Sequence, residues 1–140
     1  MILLDTNVVS EPLRPAPEAS VIEWIDAQPL ETLYLSAMTV AELRAGVALL
    51  PVGKRRDRLH EDLERRVLPS FVGRVLPFDL ACTSAYAELL VAVCKAGNGI
   101  EAFDACIAAV ALANGFTVAT RDASPFRAAG LTVINPWEER

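Results

Sequence analysis

The chain has 140 residues, a formal net charge of −5 at neutral pH and a hydrophobic content of 53%. A chain of this length can bury a core without disulfides or metal ions, so we expect a single domain over residues 1–140. The acidic balance excludes a protein that grips nucleic acid through a broad basic surface, although bound divalent cations can supply positive charge locally.

The apolar content is high for a monomer. The mean hydropathy of +0.33 predicts surplus apolar surface that a partner covers, and we expect an oligomer. No stretch reaches the roughly 20 apolar residues that span a bilayer, and the N-terminus lacks a signal-peptide pattern, which predicts a cytoplasmic protein without membrane contact. The three cysteines (Cys82, Cys94 and Cys106) form no close pair, which favours structural thiols over a metal site.

The first half of the chain alternates short apolar runs with segments of helical spacing. A buried strand over residues 2–4 ends at the carboxylate of Asp5, and a second strand over residues 33–35 ends at Ser36. Helices are predicted over residues 8–14, 18–27, 38–50 and 54–66. The last carries five arginines and one lysine against four acids, which favours a solvated face with i,i+4 ion pairs; positioning of RNA is the alternative.

The second half predicts three more strands, over residues 74–78, 116–119 and 131–134. Asp79 is a suitable N-cap for a helix over residues 80–96, and a further helix over residues 101–113 ends at Asn114 and Gly115. A tail follows over residues 135–140. Strands that alternate with helices indicate βαβ units, so the sequence predicts a three-layer α/β fold with a central parallel five-stranded sheet and helices on both faces.

Asp104 is the one charge inside the apolar helix over residues 102–113 and is therefore expected to be buried. A lone buried carboxylate costs several kcal/mol unless a cation or hydrogen-bond donors compensate it. A metal ion is one compensating partner. An ion pair with Arg121, or the positive end of its own helix, is the alternative.

Three other acids follow strands. Asp5 and Asp122 come just after the first and fourth strands, and Glu42 lies one turn into the helix after the second. Each also has a structural interpretation: Asp5 caps the next helix, Asp122 forms an Asx turn over residues 122–125, and Glu42 completes a capping box with Thr39.

The four acids (Asp5, Glu42, Asp104 and Asp122) recur at one edge of the predicted sheet, where ligands bind in open α/β folds. Carboxylate oxygens are hard ligands that suit Mg²⁺ or Mn²⁺, and no Cys/His cluster indicates zinc. Such a site can orient and activate water for attack on a phosphodiester. We therefore expect a metal-dependent nuclease in which these acids are both metal ligands and catalytic residues.

The combination of residues 3–11 (LLDTNVVSE), 39–43 (TVAEL), 104–109 (DACIAA), 119–122 (ATRD) and 135–137 (NPW) resembles the PIN-domain ribonucleases, within them the VapC toxins and especially the FitB-like branch. The resemblance covers almost the whole chain. It implies a PIN fold in which Asp5, Glu42, Asp104 and Asp122 form the Mg²⁺ site. Many VapC relatives have Asn where Asp122 stands and a later Asp where Pro125 stands, whereas the FitB-like pattern also has Asp after Thr-Arg.

The same resemblance implies a type II toxin–antitoxin system, with RNA as the substrate and a homodimer as the assembly. The cognate antitoxin would carry a ribbon-helix-helix or AbrB-like DNA-binding fold, so that DNA is contacted only indirectly. Thr6, Asn7 and Thr120 are expected to support the metal ligands, and Arg121 to reach a substrate phosphate or to neutralise the acids. Two alternatives remain: a catalytically silent PIN-like binding module, and a phosphatase with Asp5 as nucleophile, for which Lys54 and Lys95 are poorly placed.

Overall fold

The computed structural model describes residues 1–138, which contain five strands and seven α-helices. The strands are β1 (Ile2–Leu4), β2 (Leu33–Ser36), β3 (Val75–Leu76), β4 (Thr117–Ala119) and β5 (Val133–Ile134). The helices are α1 (Thr6–Ser10), α2 (Ala19–Ala27), α3 (Ala37–Ala48), α4 (Lys54–Asp62), α5 (Leu80–Lys95), α6 (Ala102–Asn114) and α7 (Ala123–Ala128). Positions 139 and 140, the end of the predicted tail and domain, lie outside the described residues.

The strands form one parallel sheet in the order β3-β2-β1-β4-β5. β1 occupies the centre and pairs with both β2 and β4, so the strand order reverses at β1. In parallel α/β sheets, the crevice beyond the carboxyl ends of the strands at such a reversal is where ligands bind. The segments that begin at Asp5, after β1, and at Thr120, after β4, therefore define the edge at which a site is expected.

Alternate residues of the strands enter two cores, one on each face of the sheet. Leu3 and Val118 pack with residues of α5, α6 and α7, whereas Leu4 and Ala119 pack with residues of α1, α2 and α3. Because both faces are covered, the strands consist of continuous apolar residues rather than alternating ones. The predicted three-layer arrangement, with helices on both faces of a parallel five-stranded sheet, is confirmed.

Helices α5 and α6 pack against each other and begin and end as the sequence indicates. The carboxylate of Asp79 accepts a hydrogen bond of 3.2 Å from the backbone N–H of Cys82, and Gly115 ends α6 in the left-handed conformation with φ of 68°. All three cysteines lie in these helices, and Cys82, Cys94 and Cys106 carry free thiols. No helix within residues 1–138 combines the length and the apolar character needed to cross a membrane.

The charged segment that begins at Lys54 has the predicted solvated face. Glu61 pairs with Arg65 and Asp62 with Arg66, both at i,i+4 spacing, and the only histidine, His60, is exposed. The α-helix ends at Asp62, earlier than predicted, and residues 63–67 continue as a single π-helical turn.

Three further differences between the prediction and the structure each lie near a proline. The helix predicted over residues 8–14 is the five-residue α1 followed by a 3₁₀ turn that contains Pro12, and β3 stops before Pro77 because proline cannot donate to the sheet. Helix α7 was not predicted, since residues 122–125 (DASP) are typical of a turn. Pro125 is nevertheless compatible with a helix because it lies in the first turn, where its missing N–H has no intrahelical acceptor.

Candidate active site

Asp5 lies at the carboxyl end of β1 and is 3% exposed. Its Oδ1 accepts a hydrogen bond of 2.8 Å from the backbone N–H of Thr6, so the residue does cap α1. Its Oδ2 accepts a second bond of 2.8 Å from the hydroxyl of Thr120, and the amide of Asn7 lies 3.4 Å from the same oxygen. Burial raises the pKa of Asp5, the hydrogen bonds from Thr120 and Thr6 oppose the rise, and the nearby charges of Glu42 and Asp122 add to it.

Asn7 and Thr120 join the segment after β1 to the segment after β4. The Asn7 amide nitrogen is 3.5 Å from both the Thr120 hydroxyl and the Asp122 carboxylate, and the Asn7 amide oxygen accepts from the backbone N–H of Arg121 at 3.3 Å. The backbone N–H of Asp122 donates to the Thr120 hydroxyl at 3.1 Å. The Asp122 carboxylate makes no cap bond to α7 within the described residues, so the Asx-turn interpretation is not supported.

Glu42 is held toward the same edge by Thr6. The Thr6 hydroxyl donates to Glu42 Oε1 at 2.6 Å and also lies 3.2 Å from the hydroxyl of Thr39. The N-cap of α3 is Ser36, whose hydroxyl accepts from the backbone N–H of Thr39 at 3.1 Å. The capping-box interpretation of Thr39 and Glu42 is therefore wrong, because α3 begins earlier than predicted and Glu42 lies in its second turn.

Asp104 lies in the first turn of α6 and is half-buried, not fully buried as predicted, because the start of that helix borders a cleft. The following residues of α6 enter the core. Burial, followed by the charges of Asp5, Glu42, Asp122 and Glu101, raises the pKa of Asp104 to about 6. Acids that are distant in sequence are thus close enough at the carboxyl edge of the sheet for their charges to repel one another.

Arg121 does not neutralise these acids. Within residues 1–138 it makes no ion pair, and its guanidinium carbon instead lies 5.1 Å from the centre of the Trp137 ring. The pairing of Arg121 with Asp104, one alternative to a metal ion, is therefore absent from the described part of the chain. The positive end of α6 remains as the partial compensation that this helix itself provides for Asp104.

Two cavities adjoin the acids. One of about 770 Å³ is lined by Asp104, Arg121 and Asp122, and another of about 460 Å³ by Thr6 and Glu42 together with the apolar residues Leu43 and Val47 of α3. Neither Lys54 nor Lys95 lines either cavity. A phosphatase with Asp5 as nucleophile would use a lysine near the phosphate, and the positions of the two lysines give that alternative no support.

The chemistry of the site fits a hard divalent cation. All the candidate ligands offer carboxylate oxygens, and a divalent cation would offset their negative charges, which add to the effect of burial in raising the pKa of Asp104. Within residues 1–138, however, no three His, Cys, Asp or Glu side chains are close enough together to hold one ion as they are placed. The structure thus brings the four acids to one edge without completing a coordination sphere.

Sequence reasoning missed several residues that support the site. Ser36 and Thr39 are buried and form a hydroxyl chain that ends at Thr6, and buried Asn135 donates a hydrogen bond to the backbone carbonyl of Arg121. For Ser36, the sequence does contain one indication of a role at the site, because this residue directly follows a predicted apolar strand, as Asp5 does. Asn135 belongs to a motif that supported the family resemblance but had no assigned role.

The structure therefore has a parallel α/β fold in which carboxylates cluster beyond the end of the central strand. The sequence matches the PIN domain model over residues 2–131, and the chain belongs to the PIN-domain family.

The chain is 69% identical over 138 residues to plasmid stability protein StbB of Pseudomonas syringae pv. tomato and 57% identical over 138 residues to VapC ribonuclease Y4jK of Sinorhizobium fredii, with 99% of each chain covered in both cases. It is 53% identical to toxin FitB of Neisseria gonorrhoeae, over 99% of this chain and 100% of FitB. The solved structure of FitAB bound to an IR36 DNA fragment has a TM-score of 0.96 at 51% identity and covers 100% of this chain and 98% of that one.

Proposed function

We propose that this protein is the toxin of a type II toxin–antitoxin pair and acts as an endoribonuclease that requires Mg²⁺ or Mn²⁺. The clustering of Asp5, Glu42, Asp104 and Asp122 at the strand reversal, with no ion pair to any of them within residues 1–138, is the observation that carries the proposal. The name of VapC ribonuclease Y4jK supports RNA as the substrate, and the name of toxin FitB supports the biological role.

The proposed partners follow from the same relatives. Because FitAB has been solved on DNA, we infer a cognate antitoxin with a ribbon-helix-helix or AbrB-like fold, through which this chain reaches DNA only indirectly. A homodimer is consistent with the exposed apolar side chains of α5, which include Leu80, Leu90 and Val91. We also propose one PIN domain for residues 1–140 and a cytoplasmic location.

Asp5, Glu42, Asp104 and Asp122 would hold the cation. When bound, a divalent cation supplies positive charge against the phosphate oxygens and makes a water molecule easier to deprotonate. In the hydrolysis itself, the water gives up a proton as its oxygen adds to phosphorus, the bond from phosphorus to one ribose oxygen breaks, and that oxygen takes up a proton as it leaves as a hydroxyl.

The remaining residues prepare the carboxylates for this task. Thr120, Asn7 and the Thr6 backbone fix Asp5, while the Thr6 hydroxyl fixes one oxygen of Glu42 and leaves the other oxygen available. Donors that orient metal ligands in this way increase metal affinity by about 10–100-fold. Arg121, at the rim of the cleft, is the candidate contact for a phosphate of the RNA.

Incubation of the purified protein with mixed cellular RNA and Mg²⁺ tests the proposal. Cleavage should occur, stop with EDTA and return with excess Mg²⁺. Asp5→Asn combined with Asp104→Asn should lower the rate by at least about 100-fold, the upper limit for loss of a supporting residue. Asp26→Asn, an exposed acid of α2, is the matched control and should cleave normally. Undiminished cutting by the double variant would falsify the mechanism.

The absence of three preassembled ligands within residues 1–138 favours one alternative, a catalytically silent PIN module that acts by dimerising and by binding the antitoxin. Calorimetric titration separates the two functions. The nuclease predicts saturable Mg²⁺ binding in the mM range or tighter that Asp5→Asn weakens, whereas no measurable binding would favour the silent module.

A further inference from the structure

The position of Arg121 is unusual because it lies between Thr120 and Asp122, among unneutralised carboxylates, and yet pairs with none within residues 1–138. A guanidinium that close to several carboxylates is expected to form a charge-assisted hydrogen bond. Its guanidinium carbon lies instead 5.1 Å from the Trp137 ring centre, within the range of a cation–π interaction.

Both partners of this interaction are held by one buried side chain. The amide nitrogen of Asn135 donates to the backbone carbonyl of Arg121 at 3.4 Å, and its amide oxygen accepts from the backbone N–H of Trp137 at 3.0 Å. Asn135 is 7% exposed, and the Trp137 ring packs against the core that contains Leu4. The hydrogen bond from Asn135 and the packing against the core therefore position the Trp137 ring, whether or not the Arg121 guanidinium lies against it.

We propose that Trp137 is a positioning residue for Arg121. Its ring holds the guanidinium away from the four acids and at the rim of the cleft, where it can receive a backbone phosphate of single-stranded RNA. The proposal rests on the proposed function and assigns a role to the motif at residues 135–137. Without the ring, Arg121 turns toward the carboxylates, because an exposed ion pair and an exposed cation–π contact are of comparable strength.

Trp24 provides a matched control. It also packs, partly buried, against the core that contains Leu4, but it makes no cation–π contact within residues 1–138. Trp137→Leu and Trp24→Leu therefore remove similar apolar contacts, and only the first frees Arg121. Trp137→Phe keeps an aromatic face and loses no hydrogen bond, because the indole nitrogen of Trp137 has no acceptor in the described structure.

The experiment measures the binding of a fluorescently labelled single-stranded RNA by anisotropy with Mg²⁺, in an Asp5→Asn background that prevents cleavage. Trp137→Leu and Arg121→Gln should each weaken binding about fivefold, the loss expected for one exposed charge contact. The plot of the logarithm of the association constant against the logarithm of the salt concentration has a negative slope, and in each of these two variants the slope should be less steep by about 0.7, as for one lost phosphate contact. The double variant should lose no more than either single variant, Trp137→Phe should retain most of the affinity, and Trp24→Leu should change neither quantity.

Additive losses in the double variant, or an unchanged salt slope in Trp137→Leu, would overturn the proposal. A separate spectroscopic measurement uses Trp24→Phe, which leaves Trp137 as the sole tryptophan. Arg121→Gln should then alter its emission spectrum, and an unaltered spectrum would count against the contact. If the unmodified enzyme cuts no RNA, the proposed function fails, whereas these binding and emission measurements still decide the role of Trp137.

Discussion

The replacement Asp104→Asn should stabilise the protein at neutral pH when no divalent cation is present. Burial and neighbouring charges raise the pKa of Asp104 from 3.8 to about 6. A rise of that size corresponds to about 3 kcal/mol, and solvent screening of this half-buried group halves the figure to about 1.5 kcal/mol. Asparagine has nearly the same shape and cannot ionise, so the variant avoids that cost.

The sign follows from the protons bound in each state. Because the folded pKa lies above the unfolded one, the folded protein binds more protons between them, and stability falls as the pH rises from about 4 through 6. The gain in the free energy of unfolding that Asp104→Asn brings should therefore be near zero at pH 4 and reach about 1.5 kcal/mol above pH 7.

Urea unfolding in EDTA at pH 4 and pH 7.5 measures this difference, with Asp26→Asn as the control for loss of an exposed acid. Addition of Mg²⁺ should stabilise the unmodified protein more than Asp104→Asn, since the variant lacks a proposed ligand. The reasoning is refuted if Asp104→Asn is no more stable than Asp26→Asn at pH 7.5, or if its advantage is the same at both pH values.

Two further variants test the local contacts. Thr120→Val removes the hydroxyl that donates to Asp5 at 2.8 Å and should cost about 1–3 kcal/mol in urea unfolding, because a buried carboxylate loses a donor; an unchanged midpoint would contradict the assignment. Asp79→Ala should cost about 1 kcal/mol by loss of the α5 cap, whereas Glu101→Ala, at the N-cap of α6 but without a side-chain bond, should cost less; equal losses would mean that the cap bond contributes nothing.

Much of the fold could be predicted because its elements are locally encoded. The apolar runs at β1, β2 and β4, the cap at Asp79 and the glycine at position 115 each carry a signal that tertiary contacts reinforce. Helix α7 could not be recognised in this way, because Asp122 and Pro125 favour a turn and a helix start about equally. Only the packing of buried Phe126 against the core selects the helix.

The candidate site shows a similar division. The approach of Asp5, Glu42 and Asp122 follows from topology, since residues beyond the ends of adjacent parallel strands must meet at one edge. The hydrogen bonds that orient them depend on side chains as distant as Thr6 and Thr120, which sequence spacing does not relate. The half-exposure of Asp104 was likewise hidden, because the apolar pattern of α6 does not reveal that its first turn borders a cleft.

The convergence of the acids on a shared cation is tested most directly by anomalous diffraction from crystals of the protein soaked in Mn²⁺. We expect at least one anomalous peak within coordination distance of carboxylate oxygens from both Asp5 and Asp104, absent from crystals of Asp5→Asn. The proposed site would be contradicted if the soaked crystals show Mn²⁺ bound elsewhere on the molecule and none between these two side chains.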